Sequence, residues 1–399
     1  MNEINRNVIE ILKVAMVEQK VDLSPNIEWD LVFQELKNQT VEGIPFDLVE
    51  KTITLDEQVK TIWRQLMYRK IGFWTQLMYE QEALIQLMKN NGIKIAILKG
   101  AAVAVYYPKP EYRTMGDIDF IVKSEDFQKT YQLMLKNGYK LLYDEEHVDY
   151  HYTLEKNGIC FEIHKKPAGT PEGENGEYIV SLIEDGLDRC VEQELEQYHV
   201  PMLPTLQNGL VLLLHIVKHL RSGLGLRQIL DWMMFVDKNL DDTTWYSEFQ
   251  PILHKIKLEK VAMTVARMCQ LHLGLRSEDI TWCDSVEETI CDDLLQYIME
   301  QGNFGRKAKD ENGVVRFLYR NKNVLDFIKT IQARGCNNWE LAKKYKFFRN
   351  FAWLYQIVRY AKLALGRKNA VSSIQMELSK VRDRRKLFQE LGMYNITDN

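Results

Sequence analysis

Between residues 92 and 166 the chain changes its hydrophobic period, and that change constrains the fold more than any other feature of it. Up to residue 90 apolar side chains recur every three or four positions, as in Ile4, Val8, Ile11, Leu12 and Ala15, and again in Val59, Ile62, Trp63, Leu66 and Met67. That is the spacing of helices that bury one stripe. Asn91-Gly92 then breaks the pattern, and Ile93-Lys94-Ile95-Ala96-Ile97-Leu98 is short and β-branched, a strand signal. Gly100 to Tyr107 reads as a short helix stopped by Pro108 and Pro110, and Asp117 to Val122 (DIDFIV) as a second strand. Ser124 to Asn137 is expected as a helix with Ser124 as N-cap and Gly138 as its C-terminal glycine. Tyr139–Tyr143, Asp149–Glu155 and Gly158–Lys165 read as strands, the last two joined in a hairpin through Asn157-Gly158. Pro167 to Glu177, with three glycines, is a loop, and from Thr205 onward the helical period returns. The expected fold class is therefore α+β, a small mixed sheet flanked by N-terminal and C-terminal helical regions. The expected division is 1–90 helical, 91–204 the α/β core, 205–304 a helical domain packed on the core, and 305–399 a basic helical region.

The 399 residues leave room for two or three domains at about 150 residues each. With 46% hydrophobic and 27% charged residues the composition is that of a globular protein. The first six residues show no basic stretch followed by an apolar run, so no secretory signal is expected. The most apolar segment, Asn208 to Leu220, is too short and too interrupted by His215, Lys218 and His219 to span a bilayer. Six scattered cysteines without a CxxC pair argue against a zinc knuckle or a disulfide framework, and for reduced thiols in a cytoplasmic protein. Charge is uneven. From Gly305 onward there are 21 Lys+Arg against 8 Asp+Glu, a net of +13, while the first 304 residues carry 31 against 48, a net of −17. The basic end is expected to meet something anionic: a membrane surface, a nucleic acid, or the acidic body of the same chain.

Chemistry gathers on two strands. In Asp117-Ile118-Asp119 the carboxylates share one face of the strand while Ile118 and Phe120 take the other. Two like charges this close call for a cation between them. A hard, oxygen-seeking ion such as Mg²⁺, or Mn²⁺ in its place, suits them, and two such ions can clamp a phosphoryl displacement. Cys160-Phe161-Glu162-Ile163-His164 alternates likewise and offers Glu162 as a third acid. Upstream, Lys99-Gly100-Ala101-Ala102 joins a strand to a helix with small residues that let backbone N–H groups approach a phosphate.

The succession strand-Lys-Gly-Ala-Ala-helix, Tyr-Pro-x-Pro-x-x-Arg-x-x-Gly-Asp-Ile-Asp-Phe-Ile-Val, then Phe-Glu-Ile-His resembles the nucleotidyltransferase superfamily of DNA polymerase β and the aminoglycoside nucleotidyltransferases. Within it the chain looks most like the bacterial NTP_transf_5-type branch. The likeness is strong over residues 90–166 and looser in the helices that follow. It implies a metal-dependent transfer of a nucleoside monophosphate from an NTP such as ATP to a hydroxyl or phosphate acceptor, with release of pyrophosphate. By resemblance Gly100 and Ala101 match the turn that holds the triphosphate, Asp117 and Asp119 the metal-binding pair, and Glu162 the acid that activates the acceptor. Ala101 departs from the Gly or Ser of the wider superfamily, and the interval from Gly100 to Asp117 is a few residues longer than its commonest form.

Other residues carry two readings each. Lys99 and Arg113 contact phosphate, or Arg113 pairs with Asp117 or Glu111 to fix its loop. His164 is a partner of a carboxylate or a surface histidine. His215, Lys218 and His219 on one helix face contact the nucleotide, or are satisfied locally; the glutamate of a zinc-protease motif is missing beside them, where Ile216 stands. Arg227 and Asp231 are spaced for an ion pair along one helix. Lys343 to Tyr355 mixes basic and aromatic residues, fitting a partner surface or a basic face over an aromatic core. A non-catalytic nucleotide-binding or scaffold protein of the same fold is the rival to the catalytic reading, and a toxin-like nucleotidyltransferase acting on RNA or protein is a variant of it that differs only in acceptor.

Overall fold

The computed structural model describes residues 1–17, 27–51, 56–142, 151–307, 324–365 and 381–396, which fall into two compact units, 1–307 and 308–398. The first unit opens with helices α1 (Glu3–Val17), α2 (Trp29–Gln39), α3 (Phe46–Lys51) and the long α4 (Glu57–Asn90). The buried stripe of α4 runs through Trp63, Met67, Trp74, Met78 and Met88, while Ile62, expected in that stripe, faces outward. Next come β1 (Ala96–Leu98), α5 (Gly100–Ala104), β2 (Asp117–Ile121), α6 (Phe127–Lys136), β3 (Lys140–Leu141), β4 (His151–Lys156) and β5 (Ile159–His164). Then follow α7 (Glu174–Asp188), the hairpin β6 (Val191–Leu195) and β7 (Tyr198–Met202), α8 (Thr205–Ser222) and α9 (Leu226–Asn239). Shorter helical segments lead to α12 (Glu259–Leu273) and α13 (Glu288–Gln301), with α10 (Asp242–Thr244) and α11 (Gln250–Lys255) before them. The α+β class expected from the sequence is what the chain adopts.

The strands form one mixed sheet in the order β3-β4-β5-β2-β1-β7-β6. Pairing of β2 with β5 is parallel and that of β1 with β2 antiparallel. The β6–β7 hairpin, which the sequence pattern did not announce, joins β1 through the single pair Ile97 and Met202. One face of the sheet carries Ile118, Phe120, Phe161 and Ile163, all buried against side chains of α4 and α6 such as Met78, Phe127 and Met134. The other face carries the polar members of the same alternation.

Local chemistry explains the turns. Asn157 and Gly158 both take positive φ (53° and 78°), the pairing that matches the right-handed twist of a two-residue hairpin. Gly138 ends its helix at φ 87°, as expected, but Ser124 does not cap α6: its hydroxyl donates to Glu184 Oε1 (2.7 Å) while Ser124–Asp126 winds as a 3₁₀ turn ahead of the helix. After β5 the chain crosses α8 at close quarters. Gly169 has φ 94°, and a Cβ there would stand 2.4 Å from the carbonyl oxygen of Leu214. Only glycine meets both demands, so this residue lets the loop hold α8 against the polar face of the sheet.

The second unit contains Val324–Asn338, Glu340–Lys344, Lys346–Arg349 and Ala352–Leu365 as helices. Trp339 stacks on Tyr355 at 5.1 Å, whereas Phe347, Phe351 and Trp353 are exposed beside the basic residues. The aromatic residues are thus not all on a core side. Among the described residues no helix is long and apolar enough to cross a membrane.

Replacing Gly169 by Ala adds left-handed strain to a backbone clash, which together cost about 2–4 kcal/mol. Urea denaturation of the full chain checks this, the expected outcome being a midpoint shifted clearly downward.

Candidate active site

The parallel register sets Asp119 of β2 directly beside Glu162 of β5, and Asp117 beside Cys160. Asp117, Asp119, Glu162 and His164 therefore project from the same face. His164 is 1% exposed, and its Nε2 lies 2.9 Å from Asp119 Oδ1 and 3.2 Å from Glu162 Oε2. With a carboxylate on either side, Nε2 carries the hydrogen. Lys99 Nζ donates to the same Asp119 oxygen at 2.8 Å. Lys99 sits at the end of β1 with φ 50° and Gly100 follows at φ 29°, so the strand turns abruptly into α5 just where the ammonium reaches the acids. A backbone held in that region costs about 1–3 kcal/mol and persists only where its surroundings enforce it.

Electrostatics follow from this crowding. The charge of Asp119, with burial second, pushes the Asp117 carboxyl up to about 6. Burial would raise Asp119 as well, but the Lys99 ammonium and the His164 hydrogen bond hold it well below the usual carboxylate range. Burial lowers the Lys99 ammonium, yet the charges of Asp119, Asp117 and Glu162 outweigh it and the net direction is up. His164 behaves alike: burial lowers it, while the hydrogen bonds to Asp119 and Glu162 raise it.

The donor set suits a divalent cation. Asp119, Glu162 and His164 each bring one ligand atom within 4.8 Å of the others, two hard oxygens and an imidazole nitrogen. His164 is the third member of this group, and Asp117, expected as a metal ligand, stands on the same face. The signal for His164 was the alternation itself, since Glu162 and His164 are two apart on one strand. The Asp117 carboxylate is destabilised by its neighbour, a second sign of negative charge in want of compensation.

Around the acids, the other residues singled out from the sequence divide. Ala101 is buried in α5, and a side chain at Gly100 would reach within 4.0 Å of the Asp117 carbonyl, so the small turn adjoins the acid strand. His215 and Lys218 of α8 both sense the charges of Lys99 and Asp119. Burial first, then Lys99, His219 and Arg227, drives His215 well below the ordinary histidine range, so it is neutral. His219 is buried, its Nδ1 3.3 Å from the carbonyl of Gly223 at the helix end, and burial pushes it down to about 4.

Two arginines exchange the roles expected for them. Arg113 pairs with neither Asp117 nor Glu111. At 4% exposure its Nε and Nη2 donate to Oδ1 and Oδ2 of Asp231, both at 2.7 Å, and Tyr107 Oη donates to Asp231 Oδ1 at 2.9 Å. With this two-pronged pair made, Arg113 has little to offer a phosphate. Asp231 is thereby taken, and the pair along the helix with Arg227 does not form. Arg227 instead donates Nη1 to the carbonyl of Thr114 at 3.2 Å, and its charge reaches Asp117. The sequence could not reveal this exchange, because Arg113 and Asp231 are 118 residues apart.

This sheet, this acid face and this Lys-Gly turn are those expected of a nucleotidyltransferase-family domain. The chain belongs to the uncharacterised nucleotidyltransferase family, whose model matches residues 25–274. Among solved structures it is similar to an antigenic nucleotidyltransferase-like protein from Paracoccidioides brasiliensis, at 16% identity and a TM-score of 0.30, over 48% of this chain and 91% of that one. No curated protein matches it.

Removing the Asp231 carboxylate strands a buried guanidinium. Asp231→Ala is expected to cost about 3–5 kcal/mol in chemical denaturation. Arg113→Lys is expected to recover little of the native stability, because one ammonium cannot replace a bidentate fork.

Proposed function

We propose that this protein transfers a nucleoside monophosphate from an NTP to a hydroxyl or phosphate acceptor, with release of pyrophosphate, and that the acid face of β2 and β5 is where it does so. The observation that carries the reading is the convergence of Asp119, Glu162 and His164, with Asp117 alongside, next to the Lys99-Gly100 turn. Membership of the family agrees with it. A divalent cation such as Mg²⁺, held by Asp117, Asp119 and Glu162 with His164 hydrogen-bonded to the last two, would supply neutralisation of the triphosphate charge and polarisation of the reacting phosphoryl group.

The protein's own groups do the positioning. Lys99, now on Asp119, has the charge and reach to draw in a phosphate oxygen. Backbone N–H groups of the Gly100–Ala101 turn are proposed to cradle the phosphates, helped by His215 and Lys218 across the site. Glu162, the more exposed of the paired acids, takes the proton of the acceptor hydroxyl. The acceptor oxygen then bonds to the α-phosphorus as the bond from that phosphorus to the bridging oxygen breaks, and pyrophosphate leaves with the electron pair. His164 fixes the orientation of both carboxylates through Nε2.

Pyrophosphate release from NTPs, screened over nucleotides and acceptors with the full chain, tests this. Turnover is expected to need Mg²⁺ or Mn²⁺, to stop with chelator, and to fall by at least about 10²–10³ in Asp119→Ala. Full turnover in that variant overturns the mechanism, and nucleotide binding without any pyrophosphate release returns the scaffold reading.

A further inference from the structure

The acids and Lys99 account for the phosphate end of a nucleotide, but none of them offers a flat apolar face to a base. Such a face lies beyond Arg227. Gly223-Leu224-Gly225 links α8 to α9, and the turn Gly302–Gly305 is pressed onto that link. A Cβ on Gly223 would stand 2.0 Å from the Gly305 nitrogen, and one on Gly225 2.6 Å from Asn303 Cβ, so both glycines are needed for the approach. Asn303 is fully buried. It accepts from Gln228 Nε2 at 3.0 Å and donates to Thr40 Oγ1 at 2.8 Å, and the next residue's N–H donates to the Gly223 carbonyl at 3.1 Å.

What this clamp presents is Phe304. Its φ is 55°, a left-handed backbone that a bulky residue adopts only under constraint, and its ring is 58% exposed. An aromatic ring held out of the core by a rigid, buried anchor has no packing reason to be there. One side is met by the His219 ring at 5.0 Å, edge to face, and the Arg227 guanidinium lies 5.9 Å from the ring centroid. Among the described residues the Arg227 Nε is buried without a partner, an unusual state for a guanidinium donor. Arg227 senses the charge of Asp117 on one side and lies against the Phe304 ring on the other, so a guanidinium and then an aromatic ring lead away from the acids, as the α-phosphate and then the base do in a nucleotide.

We propose that Arg227 and Phe304 form the arm that holds the nucleotide, Arg227 donating to a phosphate oxygen through Nε and Phe304 stacking on the base. The inference rests on the transferase reading above and extends it to the nucleoside. Stacking uses the π-face that every base has, so the arm selects for a nucleobase rather than for one particular base.

Equilibrium binding to the full chain tests it, with Ca²⁺ in place of Mg²⁺ to prevent turnover and with ATP and inorganic tripolyphosphate as the two probes. Phe304→Ala is expected to weaken ATP about tenfold and leave tripolyphosphate unchanged, and Phe304→Trp to restore ATP. Arg227→Ala is expected to weaken both probes about tenfold or more, with Arg227→Lys recovering only part. ATP bound by Phe304→Ala as tightly as by the wild type, or tripolyphosphate indifferent to Arg227→Ala, overturns the arm and leaves the transferase reading standing. A wild-type chain that binds neither probe removes that reading, and the arm with it.

Discussion

The parallel pairing of β2 with β5 is the constraint from which the rest of the molecule follows. It sets Asp119 next to Glu162 and lines Asp117 and His164 up with them, so that one small area of sheet carries three acids. Such an area cannot be sealed by a second apolar layer, and the fold answers it in kind. Lys99 is bent back at the end of β1 to neutralise Asp119, His164 lends an N–H to two carboxylates, and α8 and α9 bring His215, Lys218 and Arg227 to the same side. The opposite face is apolar at its centre, and its burial against α4 and α6 supplies the cohesion that the polar face lacks.

That division also separates what can be read along the chain from what cannot. The alternation in DIDFIV and in CFEIH is a property of neighbours, and it alone places both the core residues and the acids on their faces. Gly138 and Asn157-Gly158 are legible for the same reason, each being a local conformational demand. Asp231 shows the opposite case. Along one helix its natural partner is Arg227, but an exposed pair of that kind contributes only about 0.3–0.5 kcal/mol. A buried Arg113 brings two parallel hydrogen bonds from another part of the chain and takes the carboxylate. Ser124 likewise finds Glu184, sixty residues away, more favourable than the end of its own helix. The sequence leaves His164 open between a carboxylate partner and a surface histidine, because one residue's exposure depends on what packs above the sheet.

The glycines of the first unit share a logic that composition alone conceals. At Gly169, Gly223 and Gly225 the missing side chain makes room for another backbone or for Asn303, in each case where a loop is brought against α8 or the start of α9. The helices that roof the polar face are thus held by close backbone approaches as well as by apolar side chains, which fixes their distance from the sheet more tightly than side-chain packing would.

Asp231 and Arg227 stand four positions apart on α9, almost one above the other. Because Asp231 is gripped from two directions by Arg113 and Tyr107, the helix can neither roll about its axis nor slide along it without tearing a buried ion pair. The aim of the Arg227 guanidinium is therefore set from below, by an anchor that never meets solvent, and this residue stays steady while keeping few bonds of its own.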